Sequence, residues 1–103
     1  MNKRKNRIIE LRVNNHAGVM SHITGLFSRR NFNLEGILCT PLNRPAQSRI
    51  CLIVRRDSDI EQIIKQLQKL YDIRKVFLLT GNGDGLIRQM ARLFKPGKNQ
   101  AIF

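Results

Sequence analysis

The segment from Asn14 to Phe27, NNHAGVMSHITGLF, contains a tight turn that could bind a small anionic group. An alternating strand pattern stops at its two asparagines, and a helical pattern of apolar residues begins directly after Gly18. The first amides of a helix have no partner within the helix and carry partial positive charge. A helix that begins near Gly18 could therefore bind a carboxylate through the amides of Gly18, Val19 and Met20.

Other side chains could complete a site for a whole amino acid. Asn15 can offer its carboxamide to such a ligand, and Asn33 can do the same from another strand. Met20, Leu34 and Ile37 can line a small slot for an alkyl side chain. The alternative is that the glycine serves only the change of chain direction, and the segment by itself favours neither interpretation.

Catalytic and metal-binding patterns are missing from the sequence. His16 and His22 are its two histidines, and no cysteine or carboxylate is spaced to complete a metal site with them. No nucleophile–histidine–acid motif or pair of carboxylates stands out. Gly81, Gly83 and Gly85 form GxGxG rather than the dinucleotide-binding GxGxxG, and they predict a flexible hinge. We therefore expect a protein that is not an enzyme and carries no metal or cofactor of its own.

The strong positive charge is concentrated at the two ends of the chain. The 103 residues carry a formal net charge of +12, from 19 basic and 7 acidic residues. Residues 1–7 and 86–103 hold eight of the basic residues and no acid: Lys3, Arg4, Lys5, Arg7, Arg88, Arg92, Lys95 and Lys98. The remaining body is only mildly basic, so the charge predicts solubility or loose electrostatic contacts rather than a dedicated binding surface.

Sequence-specific nucleic-acid binding is disfavoured by the placement of the aromatic residues. RNA-recognition domains of similar topology stack bases on aromatic side chains of their first and third strands. The corresponding segments here, IIELRV and RICLIVR, contain no aromatic residue. The six aromatic residues lie elsewhere: Phe27, Phe32, Tyr71, Phe77, Phe94 and Phe103. A small basic nucleic-acid-binding protein remains an alternative that rests on charge alone.

Hydrophobic periodicity predicts the elements that must position the candidate site. Alternation predicts strands, and apolar spacings of three and four predict helices. A capping box at Ser58 to Glu61 is expected to begin the second helix, and Gly25 is expected to allow the first helix close packing on a sheet. The first helix is predicted to begin near Gly18, to place Val19, Met20, Ile23, Leu26 and Phe27 on one apolar stripe, and to break at 31–33. The other predicted elements are strand 7–13, strand 34–40, strand 49–55, helix 60–70, strand 73–79 and a short basic amphipathic helix 86–94.

This order of elements predicts an α+β fold. Strand, helix, strand, strand, helix, strand is the ferredoxin-like βαββαβ order, with a four-stranded antiparallel sheet and both helices on one face. We divide the chain into a basic N-terminal tail (1–6), the folded domain (7–80), and a Gly-rich linker with a basic C-terminal helix or tail (81–103).

A cytoplasmic location is expected, without membrane association. The longest apolar stretch, Ile50 to Val54, has only the length of a strand, and the basic N-terminus lacks the apolar segment of a signal peptide. Cys39 and Cys51 are expected to be reduced thiols that act as small hydrophobic residues. If their strands form a hairpin centred near Pro45, the two thiols could face each other across it.

The candidate site carries a resemblance to a known family. NHAGVM (15–20) and GLFSRRNFNLEGI (25–37) are similar to the ACT domain of the small regulatory subunit of acetohydroxyacid synthase, also called acetolactate synthase. The pattern N-x-x-G-V-M…G-L-F-x-R-R-x-F-N-x-E-G-I is long and specific. The similarity extends from about Ile8 to about Leu79 and is greatest to the short type of subunit, which has a single ACT domain. The segment from Gly81 lies outside the resemblance.

The resemblance implies a regulatory partner of a large catalytic subunit that holds thiamine diphosphate, magnesium and FAD. It implies activation of that subunit and feedback inhibition by a branched-chain amino acid, usually valine. It also implies a homodimer that joins two ACT domains along a sheet edge, with the effector at the interface. The effector residues so implied are Asn15, His16, Ala17, Gly18, Val19 and Met20 of one protomer and Asn33 and Leu34 of the other. A free-standing ACT sensor serving another enzyme or regulator is the alternative.

Overall fold

The βαββαβ order predicted from the sequence is confirmed by the structure. The computed structural model describes residues 6–14, 18–43, 46–55, 57–80 and 83–94, so the predictions for most of both tails lie outside the described residues. The elements are β1 (Asn6–Asn14), α1 (Val19–Arg29), β2 (Leu34–Pro41), β3 (Gln47–Arg55), α2 (Ile60–Gln68), β4 (Ile73–Leu78) and α3 (Asp84–Arg92).

The four strands form one antiparallel sheet in the order β2-β3-β1-β4. β3 is a central strand, as its apolar sequence predicts, and it pairs with both β1 and β2. β1 and β2 therefore run in the same direction. In the β1–β3 register, Ile9 lies opposite Leu52 and Leu11 lies opposite Ile50, and all four side chains are fully buried.

The hydrophobic core lies between one face of the sheet and the two helices α1 and α2. Residues spaced by three and four along each helix point into it, because this spacing places them on one stripe. The core members are Ile9, Leu11, Val13, Val19, Ile23, Leu26, Phe27, Ile50, Leu52, Val54, Ile63 and Leu67. Met20, which the periodicity placed on the same stripe, is exposed instead.

The C-terminus of α1 is fixed by an asparagine in a left-handed conformation. Asn31 has φ +59°, and the Phe32 amide donates to the Phe27 carbonyl at 2.9 Å. This bond, with the Asn31 amide donating to the Ser28 carbonyl, is the Schellman arrangement that ends many helices. The rings of Phe27 and Phe32 pack edge to face at 5.7 Å. The helix break predicted at 31–33 is therefore confirmed.

Two local predictions about the helices are wrong. Asp59, not Ser58, caps α2, and its carboxylate accepts from the Gln62 amide at 3.2 Å. A Cβ added at Gly25 would meet only the Arg29 guanidinium, at 3.2 Å, so this glycine faces a side chain of its own helix rather than the sheet.

The two cysteines lie on opposite faces of the sheet, so the prediction that they face each other is wrong. Cys39 lies opposite Ile50 in the β2–β3 register, and Cys51 lies opposite Leu38. Because side chains alternate along a strand, Cys39 is on the helix side and Cys51 on the other side. Both thiols are free.

The start of α3 is anchored to the sheet face that α1 and α2 leave uncovered. The Gly83 amide donates to the Asn6 carbonyl, and the Asn6 carboxamide donates to Asp84 at 2.7 Å. A Cβ at Gly83 would approach Ile53 to 2.8 Å, which leaves no room for a side chain. Gly83 is therefore a packing glycine, and the predicted hinge is wrong at this position. Gly81 lies outside the described residues.

Candidate effector site

The turn into α1 leaves three amides at one end of the helix without a partner inside the helix. Gly18 is the N-cap, with φ +96° and ψ −14°, a left-handed conformation that glycine adopts without strain. The His22 amide donates to the Gly18 carbonyl at 2.9 Å, which closes the first helical turn. The amides of Val19, Met20 and Ser21 precede this bond and have no partner within the helix. The predicted set of carboxylate-binding amides did not include Ser21, because the sequence pattern placed the start of the helix one residue too early.

Within the described residues, the positive end of α1 carries no neutralising charge of its own. No acidic residue occupies the first turn, so no side chain of that turn neutralises the partial charge of the amides. No atom of the described residues lies within 4 Å of the position where a Cβ of residue 18 would be. Gly18, Met20 and Ser21 are exposed, whereas Val19 is buried in the core.

The buried residue Asp72 contacts both sides of the turn, through its backbone carbonyl and its carboxylate. The Asn14 amide, at the end of β1, donates to the Asp72 carbonyl at 3.0 Å. The Asp72 carboxylate lies 3.3 Å from Nδ1 of His22 on α1. Asp72 directly precedes β4, so it connects the start of β4 with the end of β1 and with the first turn of α1. Three further predicted site residues, Asn15, His16 and Ala17, lie outside the described residues.

The structure does not bring Asn33 and Leu34 to this turn within one chain. Leu34 pairs with Val54, which also pairs with Arg7 near the start of β1. Pro41, by contrast, pairs with Ser48, which lies near the end of β1 where α1 begins. The 11 residues of α1 separate its two ends by about 16 Å. The predicted set can therefore meet only if Asn33 and Leu34 come from a second copy.

The two edges of the sheet differ in their capacity to pair with another strand. β4 is six residues long and carries Arg74 and Lys75, and such charges discourage pairing at an edge. β2 is eight residues long, and its one charged residue, Glu35, lies where the β2–β3 register shifts. From Gly36 to Pro41 the strand is regular and uncharged, so β2 offers the better edge for a second copy.

Neither a metal centre nor a spanning helix is found in the part of the chain that the structure describes. Its histidines, cysteines and carboxylates form no group of three or more that could hold a metal ion. No helix within the described ranges is long and apolar enough to cross a membrane.

The part of the chain that contains this turn and the sheet matches a known protein family. Residues 9–75 match the family described as the AHAS small subunit-like ACT domain, where AHAS denotes acetohydroxyacid synthase. The chain belongs to this family. The match includes the Gly18 turn, both ends of α1, and the β2–β3 pair, so the family covers every described residue of the candidate site.

Relatives with known names support the same assignment. The chain is 54% identical over 71 residues to the acetolactate synthase isozyme 1 small subunit of Escherichia coli K12, and this alignment covers 69% of the chain and 74% of that protein. It is 42% identical over 76 residues to the acetolactate synthase small subunit of Bacillus subtilis 168, with 72% of the chain and 44% of that protein covered. The chain thus corresponds to less than half of the longer relative.

Solved structures of related proteins share the fold. The acetolactate synthase small subunit of Thermotoga maritima is 37% identical with a TM-score of 0.66, over 72% of the chain and 47% of that protein. The ACT domain of GTP pyrophosphokinase from Chlorobium tepidum has a TM-score of 0.60 at 16% identity, over 75% of the chain and the whole of that domain. The second similarity shows the ACT fold alone.

Proposed function

We propose that this ACT-domain chain is a regulatory subunit of acetohydroxyacid synthase that binds valine at the start of α1. It activates a large catalytic subunit in the cytoplasm, and bound valine mediates feedback inhibition. The 54% identity to an acetolactate synthase small subunit carries the choice of enzyme. Catalysis belongs to the large subunit with its thiamine diphosphate, magnesium and FAD, and this chain supplies regulation.

The amides of Val19, Met20 and Ser21 are the donors for the valine carboxylate. A carboxylate at a helix N-terminus gains about 0.3–1 kcal/mol from the helix dipole at an exposed site, and hydrogen bonds to a charged group add about 1.5–3 kcal/mol each. The exposed Met20 side chain beside these amides offers apolar contact to the isopropyl group. This combination of donors and apolar surface favours a small aliphatic amino acid over an inorganic anion.

A second copy paired through β2 completes the site. Antiparallel pairing of β2 with its symmetry mate about a two-fold axis reverses the strand direction. The partner's Leu34 end then lies beside the Pro41 end of the first chain, which is the end where α1 begins. The carboxamide of Asn33 reaches the ammonium group of the ligand from there, and Leu34 adds apolar surface. Each dimer so built contains two equivalent effector sites.

Valine at such an interface can act on the catalytic subunit because it stabilises one dimer arrangement over another. The free energy of that preference is the coupling between effector and catalysis, and coupling energies of about 1–3 kcal/mol are typical. This is enough to change activity several-fold without any contact between valine and the active site.

Reconstitution with the large subunit tests the proposed function. The chain is expected to copurify with the thiamine-diphosphate-dependent large subunit of the same cell and to raise its rate of acetolactate formation. Valine is then expected to lower that rate in a saturable manner. A complex whose activity does not change at saturating valine would contradict the effector role. Failure to bind the large subunit would favour a free-standing ACT sensor.

A further inference from the structure

The sheet has a second face, turned away from α1 and α2, that we call the open face. Across its centre the register aligns four residues, one from each strand, as the mixed row: Leu38, Cys51, Glu10 and Phe77. An uncovered face of an antiparallel sheet is usually polar. Here Leu38 and Phe77 are large apolar residues that are 38% and 39% exposed. Exposed apolar groups among polar ones are typical of a protein interface.

A line of positive charge lies next to the mixed row. Arg49, Arg12 and Lys75 are aligned across β3, β1 and β4, and we call them the basic row. Adjacent strands are about 4.8 Å apart, so the backbone positions of the three cations span about 10 Å. Glu10, in the mixed row, is the one acid in the two rows.

The arginines of the basic row are fixed in place and keep donors available. Oε2 of Glu10 accepts from Nε of Arg12 at 2.8 Å and from Nε of Arg49 at 3.2 Å. These contacts use only Nε, so within the described ranges the terminal nitrogens of both guanidinium groups remain available to a further carboxylate. The Arg12 guanidinium also lies 5.3 Å from the centre of the Phe77 ring, a cation–π contact that orders both side chains.

A shallow cavity extends the basic row at the end of the sheet. It has a volume of about 220 Å³ and is lined by Arg12, Leu42, Gln47, Arg74 and Lys75. Three cations and one carboxamide thus surround a space that can admit an acidic side chain. The open face therefore presents positive charge together with exposed apolar residues.

The chain's own described segments do not cover the basic row: the start of α3 packs at Ile53, on the other side of the mixed row. Residues 1–5 and 95–103 contain five basic residues and no acidic one, so neither terminal segment is complementary to the basic row. A second copy stacked on the open face would place its own basic row against the first. A terminal segment of the chain and a second copy are therefore both electrostatically disfavoured on the open face. A nucleic acid is disfavoured by Glu10, which repels phosphate, and by Phe77 being the single aromatic residue of the two rows.

We propose that the open face docks an acidic segment of the catalytic subunit whose carboxylates lie beside apolar side chains. The carboxylates pair with Arg49, Arg12 and Lys75, and the apolar side chains contact Leu38 and Phe77. This proposal rests on the proposed function for its partner, but it names the face of the sheet that α1 and α2 leave uncovered, whereas the proposed effector site lies at the start of α1. Effector binding and docking thus use different parts of one sheet.

Charge reversal tests this surface. In the double variant Arg49→Glu with Lys75→Glu, affinity for the purified large subunit is expected to fall at least about tenfold, because attraction becomes repulsion. The matched control, Lys65→Glu with Lys69→Glu, makes the same charge change on an exposed residue of α2 and on its exposed C-cap, and it is expected to stay within about twofold. Circular dichroism and thermal melting establish that both variants are folded.

The outcomes separate this proposal from the proposed function. A wild-type chain that binds the large subunit, together with a charge-reversed variant that binds equally well, would overturn the docking surface and leave the regulatory role intact. A wild-type chain that does not bind would overturn both. Binding of an RNA oligonucleotide near physiological salt that is lost only in the charge-reversed variant would assign the surface to nucleic acid and also overturn the proposal.

A second measurement needs no substitution. Cys51 lies in the mixed row, whereas Cys39 lies on the opposite side of the sheet. Addition of the large subunit to the wild-type chain is expected to slow alkylation of Cys51 by iodoacetamide at least about fivefold and to change Cys39 much less. Equal rates for Cys51 with and without the large subunit, under conditions where the complex forms, would contradict docking at the open face.

Discussion

At the scale of single residues, the two thiols report on the two faces of the sheet. Cys39 is exposed at the β2 edge, and Cys51 is partly buried between Leu38 and Glu10. Burial raises the pKa of the Cys51 thiol, the negative charge of Glu10 raises it further, and Arg49 acts in the opposite direction. The neutral thiol is thus the form that the fold favours.

The raised pKa gives a pH prediction with a definite sign. Because alkylation requires the thiolate, the midpoint of the Cys51 alkylation rate against pH is expected to lie at higher pH in the folded protein than in urea. The stabilising contribution of the neutral thiol is complete below the unfolded pKa and is lost as pH rises through the folded pKa. Peptide-resolved mass spectrometry measures the rates. A folded midpoint at or below the unfolded one would contradict the assigned environment.

At the scale of elements, β2 is expected to be the dimer edge. Cys39→Lys places a positive charge at an exposed position of β2. Two-fold symmetry brings two such charges to the interface, so dimer affinity is expected to fall at least about tenfold. Leu78→Lys is the control, because Leu78 is exposed on the other edge strand. Sedimentation equilibrium measures both. A monomer produced by Leu78→Lys and not by Cys39→Lys would place the interface at β4 instead.

The C-terminal helix is expected to be dispensable for the fold and for valine binding. α3 contains no buried residue, and Leu93 and Phe94 just beyond it are 76% and 73% exposed. Deletion of residues 86–103 retains Gly83 and Asp84, which anchor the segment to Asn6. Thermal melting and valine calorimetry are expected to match the full chain, with only large-subunit affinity changed. Loss of valine binding would show that α3 belongs to the effector site.

For the fold of the entire domain, local patterns were sufficient because the sequence is periodic where the helices and strands are regular. The apolar stripe of α1 and the asparagine that ends it are both local signals, and the structure confirms them. The relation between Cys39 and Cys51 depends instead on hairpin register, where a shift of one residue moves a side chain to the other face. Gly83 was predicted to belong to a flexible hinge because its hydrogen bond to Asn6, a residue far away in the sequence, leaves no local pattern.

The candidate site was predictable only in part for a related reason. The Gly18 turn is a local signal, so the start of the first helix was predicted to within one residue. Asn33 and Leu34 lie at the far end of α1, and only the resemblance linked them to the turn. The mixed row and the basic row could not be predicted from the sequence, because each is defined by the pairing of residues on different strands.

Calorimetric titration of valine into the wild-type chain and into Gly18→Asn and Gly18→Asp is the decisive test of an effector site at the Gly18 turn. Both side chains enter open space and tolerate a left-handed backbone, and aspartate also suits a helix N-terminus, so both variants are expected to fold. Valine is expected to bind the wild type, to bind Gly18→Asn within about fivefold, and to bind Gly18→Asp at least about tenfold more weakly than Gly18→Asn, because the added charge repels its carboxylate. Equal affinity of the two variants, or no binding by the wild type, would contradict an effector site at this turn.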